Sequence, residues 1–139
     1  MRYLIDTNAL SETVQRRPDA EVVARIRELP ELRIALSTIT FGEIEKGVSK
    51  LGSGERKAFL TRWLRDLPDQ FHGRILPVDV AVARTWGRLA DEGRRAGREL
   101  PVTDGLLLAT AAVHRLVVVT RDESDFRGRG VEIFNPWNP

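Results

Sequence analysis

Short runs of apolar residues, rich in β-branched and aromatic side chains, recur five times along the chain. Runs of this length and composition are typical of β-strands. The run Leu116–Val119 is continuously apolar and mostly β-branched, which favours a central parallel strand covered on both faces. The predicted strands are Tyr3–Ile5, Arg33–Leu36, Ile75–Val78, Leu116–Val119 and Val131–Phe134.

Between these runs, apolar residues recur at the spacing of one helix face. Residues that cap or break helices stand at the ends of these segments. The most apolar segment, Leu106–His114, predicts a helix that is buried on most sides. Helices are predicted after Asp6, after Pro18-Asp19, from Ser37 to the Gly52-Ser53-Gly54 break, through Phe59–Leu67 as far as Pro68-Asp69, after Asp79, and from Pro101 to His114.

The alternation of strands and helices predicts an α/β protein with a three-layer α/β/α fold and a mainly parallel central sheet of four or five short strands. A chain of 139 residues is long enough to bury a core, and it contains no internal repeat or linker-like segment. We therefore expect a single domain over residues 1–139. In parallel sheets of this kind, ligands bind beyond the carboxyl ends of the strands.

The composition excludes several kinds of site. The chain has no cysteine and only two histidines, His72 and His114, which excludes disulfides, thiolate zinc sites and a histidine-rich metal centre. The net charge is only +2, but 19 of the 22 basic residues are arginine, which binds phosphate bidentately, so nucleic acid is a candidate partner. The N-terminus lacks a secretory signal and no apolar stretch is long enough to span a membrane, so we expect a soluble, cytoplasmic protein.

Four acidic residues are predicted to gather at the carboxyl edge of the sheet. Asp6 follows the first strand, and Asp122 follows the strand Leu116–Val119. Asp104 begins the buried helix that leads back to that strand, and Glu43 lies early in the helix after the second strand. Carboxylates that lie close together repel one another, and a divalent cation relieves this repulsion.

Oxygen ligands without histidine or cysteine favour a hard cation, so Mg²⁺ or Mn²⁺ is the expected cofactor. Such a cation lowers the pKa of a bound water and neutralises charge on a phosphate group. The residues therefore predict metal-assisted phosphodiester hydrolysis, with Asp6, Glu43, Asp104 and Asp122 as the candidate catalytic residues.

Each acid also has a structural explanation when it is taken singly. Asp6 could cap the following helix, and Thr40 with Glu43 matches the spacing of a capping box. The helix dipole favours an acid in the first turn of a helix, which would explain Asp104, and Asp122 could be a solvated loop residue. The hypothesis of a common site therefore depends on the predicted topology bringing all four together.

Other catalytic motifs are absent from the chain. It has no Gly-x-Ser-x-Gly and no Gly-Lys pair, so neither an α/β-hydrolase nor a P-loop enzyme is supported. A phosphatase with an aspartate nucleophile would fit a strand that ends in Asp6, but its usual second aspartate is replaced by Asn8. The alternatives are a metal-dependent hydrolase of small phosphate compounds and a non-catalytic subunit that binds a partner protein or DNA.

Several segments, taken in order, resemble the PIN-domain family, and within it the VapC- and FitB-like toxins of bacterial toxin–antitoxin systems. The resemblance spans nearly the whole chain and depends on the combination of motifs rather than on any single one. The matching segments are Leu4–Asn8, Ser37–Glu43 leading into Lys46-Gly47, Asp104–Ala111, Thr120–Asp122 running to Phe126, and the ending Phe134–Trp137.

This resemblance implies an endoribonuclease that depends on Mg²⁺ or Mn²⁺, forms a homodimer and is held inactive by a cognate antitoxin. RNA would be its substrate. By the family pattern, Asp6 and Asp104 would hold the metal directly. Glu43 and Asp122 would complete the acidic pocket, either binding the metal through water or orienting the attacking water.

The same pattern assigns supporting roles to two polar residues, Asn8 and Thr120, which would lie around the acids or near the scissile phosphate. Relatives differ in where the fourth acid stands. Either Asp122 or Asp125 could point into the pocket, and the resemblance leaves this choice open.

Overall fold

The protein, described here over all 139 residues by a computed structural model, contains the five predicted strands in one sheet. The strands are β1 (Tyr3–Ile5), β2 (Ile34–Ser37), β3 (Ile75–Leu76), β4 (Val117–Val119) and β5 (Ile133–Phe134). Their order in the sheet is β3-β2-β1-β4-β5, and every neighbouring pair is parallel. The predicted parallel sheet is therefore confirmed, and β1 lies at its centre.

Seven α-helices connect the strands, and the predicted helix starts at Asp19 and Asp79 are confirmed by side-chain caps. Asp19 accepts hydrogen bonds from the amides of Glu21 and Val22, and Asp79 accepts one from the amide of Val82. No helix has the length and apolarity that crossing a membrane requires. The helices are α1 (Thr7–Glu12), α2 (Ala20–Arg27), α3 (Thr38–Ser49), α4 (Glu55–Gln70), α5 (Val80–Arg95), α6 (Val102–His114) and α7 (Glu123–Phe126), and a 3-10 turn (Glu31–Arg33) precedes β2.

Helices cover both faces of the sheet, which gives the three predicted layers. Successive side chains of a strand point to opposite faces. Ile5 and Val119 belong to the core on the side of α1, α2, α3 and α4, whereas Leu4 and Val118 belong to the core on the side of α6 and α7. Since helices enclose β1 and β4 on both faces, the polar residues that follow these strands are attached to a rigid, buried part of the sheet.

The structure refines the local expectations at three places. The helix predicted as far as Pro68-Asp69 ends one residue later, at Gln70, so that Pro68 lies in the last turn of α4. Asp122 lies in the short irregular segment after β4, but the residues that follow it form the short helix α7, which was not predicted. Thr40 and Glu43 do not form a capping box, since Ser37 caps α3 and the Thr40 side chain is buried within that helix.

Candidate functional site

Asp6 lies at the carboxyl end of β1, the central strand. Its amide donates a hydrogen bond of 2.9 Å to the Val119 carbonyl, so its backbone still belongs to the sheet. Its side chain caps α1, where Oδ1 accepts a hydrogen bond of 2.7 Å from the Thr7 amide. The immediate change from strand to helix thus buries Asp6, with only 5% of the residue surface exposed.

The Asp6 side chain is connected to the residues that follow β4. The Thr120 hydroxyl donates to Asp6 Oδ2 at 2.8 Å, and Thr120 Oγ1 accepts a bond of 3.0 Å from the Asp122 amide. Asn8 Nδ2 lies 3.2 Å from Asp122 Oδ2, 3.4 Å from Thr120 Oγ1 and 3.5 Å from Asp6 Oδ2. Asp6, Asn8, Thr120 and Asp122 are therefore brought together, as the parallel pairing of β1 and β4 requires.

Glu43 reaches the same edge of the sheet through β2 and α3. The strand β2 pairs with β1, and its last residue, Ser37, caps the helix that carries Glu43. The Thr7 hydroxyl donates to Glu43 Oε1 at 2.7 Å, which joins α1 to α3. Thr7 was not among the predicted site residues, although a hydroxyl placed between Asp6 and Asn8 is a signal that could have found it.

Asp104 lies in the first turn of α6 and is half-buried. Burial raises the pKa of Asp104, and the negative charges of Glu43, Asp122 and Asp125 raise it further, so all three acids lie near it. Asp122 is also hydrogen-bonded to Asn8, whereas the Asp125 side chain is exposed and accepts no hydrogen bond. The geometry therefore connects Asp122, rather than Asp125, to the residues at the end of β1.

The Asp6 carboxylate is in an unfavourable environment when it is ionised. Burial is the main reason that its pKa rises from an ordinary 3.8 to about 6. Hydrogen bonds from Thr120 and Thr7 lower the pKa in part, while the charges of Asp104 and Glu43 raise it. A cation bound near Asp6 would lower this pKa and favour the ionised form.

No arginine or lysine neutralises the four predicted acids, since none of the five ion pairs in the protein includes them. Their oxygens are the hard ligands that Mg²⁺ and Mn²⁺ prefer, so the chemistry of the donors fits such a cation. No group of three or more acidic or histidine side chains converges as a complete ligand set. This is compatible with Mg²⁺, which commonly binds one or two carboxylates and keeps several waters.

A packing contact beside Asp104 also escaped prediction. Trp86 of α5 packs so closely on Gly105 that a Cβ there would lie 2.8 Å from the indole nitrogen. Gly105 therefore has to lack a side chain for α5 and α6 to approach at this point. A glycine inside an apolar helix is the sequence signal that could have found this contact.

The strand order and the acids at the carboxyl edge of the sheet define an α/β protein with an acidic site. The chain belongs to the PIN domain family, whose profile matches residues 3–130. Toxin FitB of Neisseria gonorrhoeae is 38% identical to it over 136 residues, which cover 97% of this chain and 98% of that protein. VapC ribonuclease Y4jK of Sinorhizobium fredii is 34% identical over 137 residues, which cover 98% of each protein.

A solved structure gives the same result for the fold. The crystal structure of FitAcB from Neisseria gonorrhoeae matches with a TM-score of 0.92 and 37% identity, and the match covers 99% of both chains. The resemblance to the PIN-domain family and the predicted α/β/α fold are both confirmed.

Proposed function

We propose that this protein is a metal-dependent endoribonuclease, the toxin of a toxin–antitoxin pair, which hydrolyses RNA phosphodiester bonds at the acidic site. Its cofactor would be Mg²⁺ or Mn²⁺. Its protein partners, in the cytoplasm, would be a cognate antitoxin and a second copy of the chain. The observation that carries this proposal is the buried Asp6, which lies near Glu43 and Asp104 and which no basic side chain neutralises.

Asp6 and Asp104 are the residues that would hold the cation directly, while Glu43 and Asp122 would bind it through water or orient the attacking water. When bound, the cation would neutralise charge on the phosphate and lower the pKa of a bound water. The two direct carboxylates satisfy the preference of Mg²⁺ for few protein ligands. Asp6 has the raised pKa that is expected of an acid whose partner is a cation from solution.

Neutral hydrogen-bond donors orient the acids. The Thr7 amide and the Thr120 hydroxyl each hold one oxygen of Asp6, which fixes the plane of its carboxylate. The Thr7 hydroxyl holds Glu43 Oε1, so that Oε2 is left to accept a hydrogen bond from water. Glu43 is therefore suited to orient the attacking water and to accept its proton.

The relatives support the choice of RNA as the substrate and of a toxin as the biological role. One of them is named a VapC ribonuclease and another a toxin, and both match this chain over almost its whole length. The arginine-rich composition suits a partner with a phosphate backbone. An antitoxin is expected because toxins of the family that the motifs resemble are held inactive by one.

The decisive experiment is RNA cleavage by the wild type and by Asp6→Ala, each with Mg²⁺, with Mn²⁺ and with EDTA. The matched control is Asp66→Ala, which removes an acid on the exposed surface of α4. We expect cleavage by the wild type and by Asp66→Ala only when the metal is present, and none by Asp6→Ala. Equal cleavage by the wild type and by Asp6→Ala would refute the proposal.

The same proteins distinguish the alternatives. Rapid hydrolysis of phosphomonoesters without RNA cleavage would indicate a hydrolase of small phosphate compounds. Growth arrest that is unchanged by Asp104→Asn would indicate a subunit that acts by binding. We expect neither result. We expect the wild type to arrest growth, co-expression with the antitoxin to restore growth, and Asp104→Asn to cause no growth arrest.

A further inference from the structure

One arginine at the edge of the acidic site is held in place without an acidic partner. Arg121 lies between Thr120 and Asp122, which both belong to the hydrogen-bonded group around Asn8. Its amide donates to Asn8 Oδ1 at 3.2 Å, so its backbone is fixed to the same group. Its side chain is exposed and forms no ion pair, although Asp122 and Glu123 follow it directly in the sequence.

An aromatic ring positions this arginine. The Arg121 guanidinium lies over the indole of Trp137, with 5.3 Å between Cζ and the ring centroid. A guanidinium stacked on an aromatic face keeps its donors free at its edge. Arg121 thus offers a planar set of donors whose position is restricted before any ligand binds.

The ring is itself anchored to the body of the protein. Trp137 packs against the core on the α1–α4 side of the sheet, and Arg25 of α2 donates to the Pro136 carbonyl at 2.7 Å. Asn135 links the tail to the site edge, since its Nδ2 lies 3.5 Å from the Arg121 carbonyl and its Oδ1 accepts from the Trp137 amide at 2.9 Å. The C-terminal residues therefore form a fixed support for Arg121.

We propose that Arg121, supported by Trp137, binds a phosphate of the RNA backbone next to the scissile phosphate. The argument rests on the proposed function and extends it to the substrate. An acidic site repels a polyanion, and a bound cation offsets this repulsion only at the scissile group. The neighbouring phosphates need a separate positive group, and Arg121 is an unpaired one that the structure holds at this edge.

A purely structural role for Arg121 is the competing explanation, and it makes a different prediction. Were the stack needed only to hold the tail, substitution would lower thermal stability and leave substrate binding unchanged. As a phosphate ligand, Arg121 affects KM and the salt dependence instead, because a contact between protein and phosphate releases a counterion. Arg121 would then be a substrate-binding residue and Trp137 a positioning residue.

The test uses an unstructured single-stranded RNA oligonucleotide that the full-length wild type cleaves, at several salt concentrations. Arg121→Gln should raise KM about tenfold with little change in kcat, since charge-assisted hydrogen bonds of this kind are worth about one power of ten. The slope of log(kcat/KM) against log[salt] should become less steep by about 0.7, the value for one phosphate of a single strand. Arg121→Lys keeps the charge and should keep the slope, with KM between those of the wild type and of Arg121→Gln.

The aromatic support is tested in the same assay. Trp137→Leu should raise KM about threefold, the expected loss of one exposed cation–π contact, while Trp137→Phe should retain most of the wild-type KM. The matched control is Arg2→Gln, because Arg2 also lies over an aromatic ring, 5.7 Å from the centroid of Tyr3, but at the amino end of β1. Its substitution should change neither KM nor the salt slope.

Failure of this inference and failure of the proposed function give different results. Cleavage by Arg121→Gln with the KM and salt slope of the wild type overturns the phosphate contact and leaves the ribonuclease proposal intact. Equal increases in KM for Arg121→Gln and Arg2→Gln also overturn it, because a general loss of charge would then explain the effect. Absence of cleavage by the wild type overturns the proposed function, and the phosphate contact with it.

Discussion

Acids on the outer helices and acids at the carboxyl edge of the sheet differ in whether a basic side chain neutralises them. Asp91 on α5 lies 2.8 Å from Arg94 and 3.0 Å from Arg95, and the hydrogen bond from Arg94 is the main reason that its pKa is lowered. Asp6 has no such partner, and burial raises its pKa to about 6. None of the 19 arginines of the protein forms an ion pair with an acid of the site.

The same contrast between an acid with an arginine partner and an acid without one occurs in two neighbouring residues. Glu123, the residue after Asp122, is paired with Arg127 at 2.8 Å and its pKa is lowered, mainly by that hydrogen bond. Asp122 is held instead by the neutral Asn8. Neutral donors orient a carboxylate without cancelling its charge, so the charge is kept for a ligand from solution.

The largest effect is expected when an acid of the site loses its charge. Asp104→Asn keeps the size of the side chain but should lower kcat of RNA cleavage by about a thousandfold or more, because charge neutralisation by a bound cation is worth several kcal/mol. The measurement is single-turnover cleavage in Mg²⁺, with Asp91→Asn as the control. Comparable rates for the two variants would mean that the unpaired acids have no special role.

The second prediction concerns stability without metal. A pKa of about 6 for Asp6 in the folded protein, against an ordinary 3.8, corresponds to about 3 kcal/mol. The folded state binds this proton more tightly than the unfolded state does. The contribution therefore favours folding fully below pH 3.8 and is lost as the pH rises through about 6.

Asp6→Asn removes this dependence. In EDTA at pH 7.5, it should raise the free energy of unfolding by up to about 3 kcal/mol relative to the wild type, and by much less at pH 4.5. Urea unfolding at the two pH values measures the difference, and Asp66→Asn on the exposed surface of α4 serves as the control. A wild type and an Asp6→Asn variant with parallel pH profiles would show that Asp6 is not destabilising when ionised.

Much of the fold could be predicted because the signals are local. A short β-branched run such as Val117–Val119 and a cap such as Asp79 each act within a few residues of the chain. The helix α7 could not be predicted in this way, since a polar segment of four residues has no helical period and is held by the complete burial of Phe126. The false capping box at Thr40 arose because Ser37, three residues earlier, is an equally good cap.

The acids of the site could be predicted from the topology, because parallel strands present their carboxyl ends at one edge. The groups that hold them could not be predicted, since they belong to distant parts of the chain. Thr7 and Glu43 are 36 residues apart, and Trp137 meets Arg121 only after the tail has returned along β5. Contacts of this kind depend on side-chain directions that no pattern of hydrophobic and polar residues specifies.

A third prediction tests whether packing, rather than charge, holds Asp104 in place. Gly105→Ala would place a Cβ 2.8 Å from the Trp86 indole, so one of the two helices α5 and α6 has to shift. Overpacking of this kind costs about 2 kcal/mol, and we expect a matching loss of unfolding free energy with a smaller loss of kcat. The double variant with Trp86→Leu should recover part of the stability.

The matched control for this substitution is Gly87→Ala. Gly87 is exposed within α5 and has no atom near the position of an added Cβ, so alanine should stabilise the helix by about 0.5 to 1 kcal/mol. Opposite signs for the two glycine substitutions are the expected result. A neutral Gly105→Ala would show that the Trp86 contact yields easily and does not position Asp104.

The smallest effect is expected at the paired acids of the outer surface. Asp91→Asn removes both of its ion pairs, but exposed pairs gain little because water and salt screen them. Thermal unfolding at low salt and in 1 M NaCl should show a slight loss of stability for Asp91→Asn only at low salt, with unchanged RNA cleavage. A loss that persists at high salt would mean that Asp91 acts through packing, since only its charge is screened. The contrast with Asp6 would then have to be attributed to burial alone rather than to the presence of arginine partners.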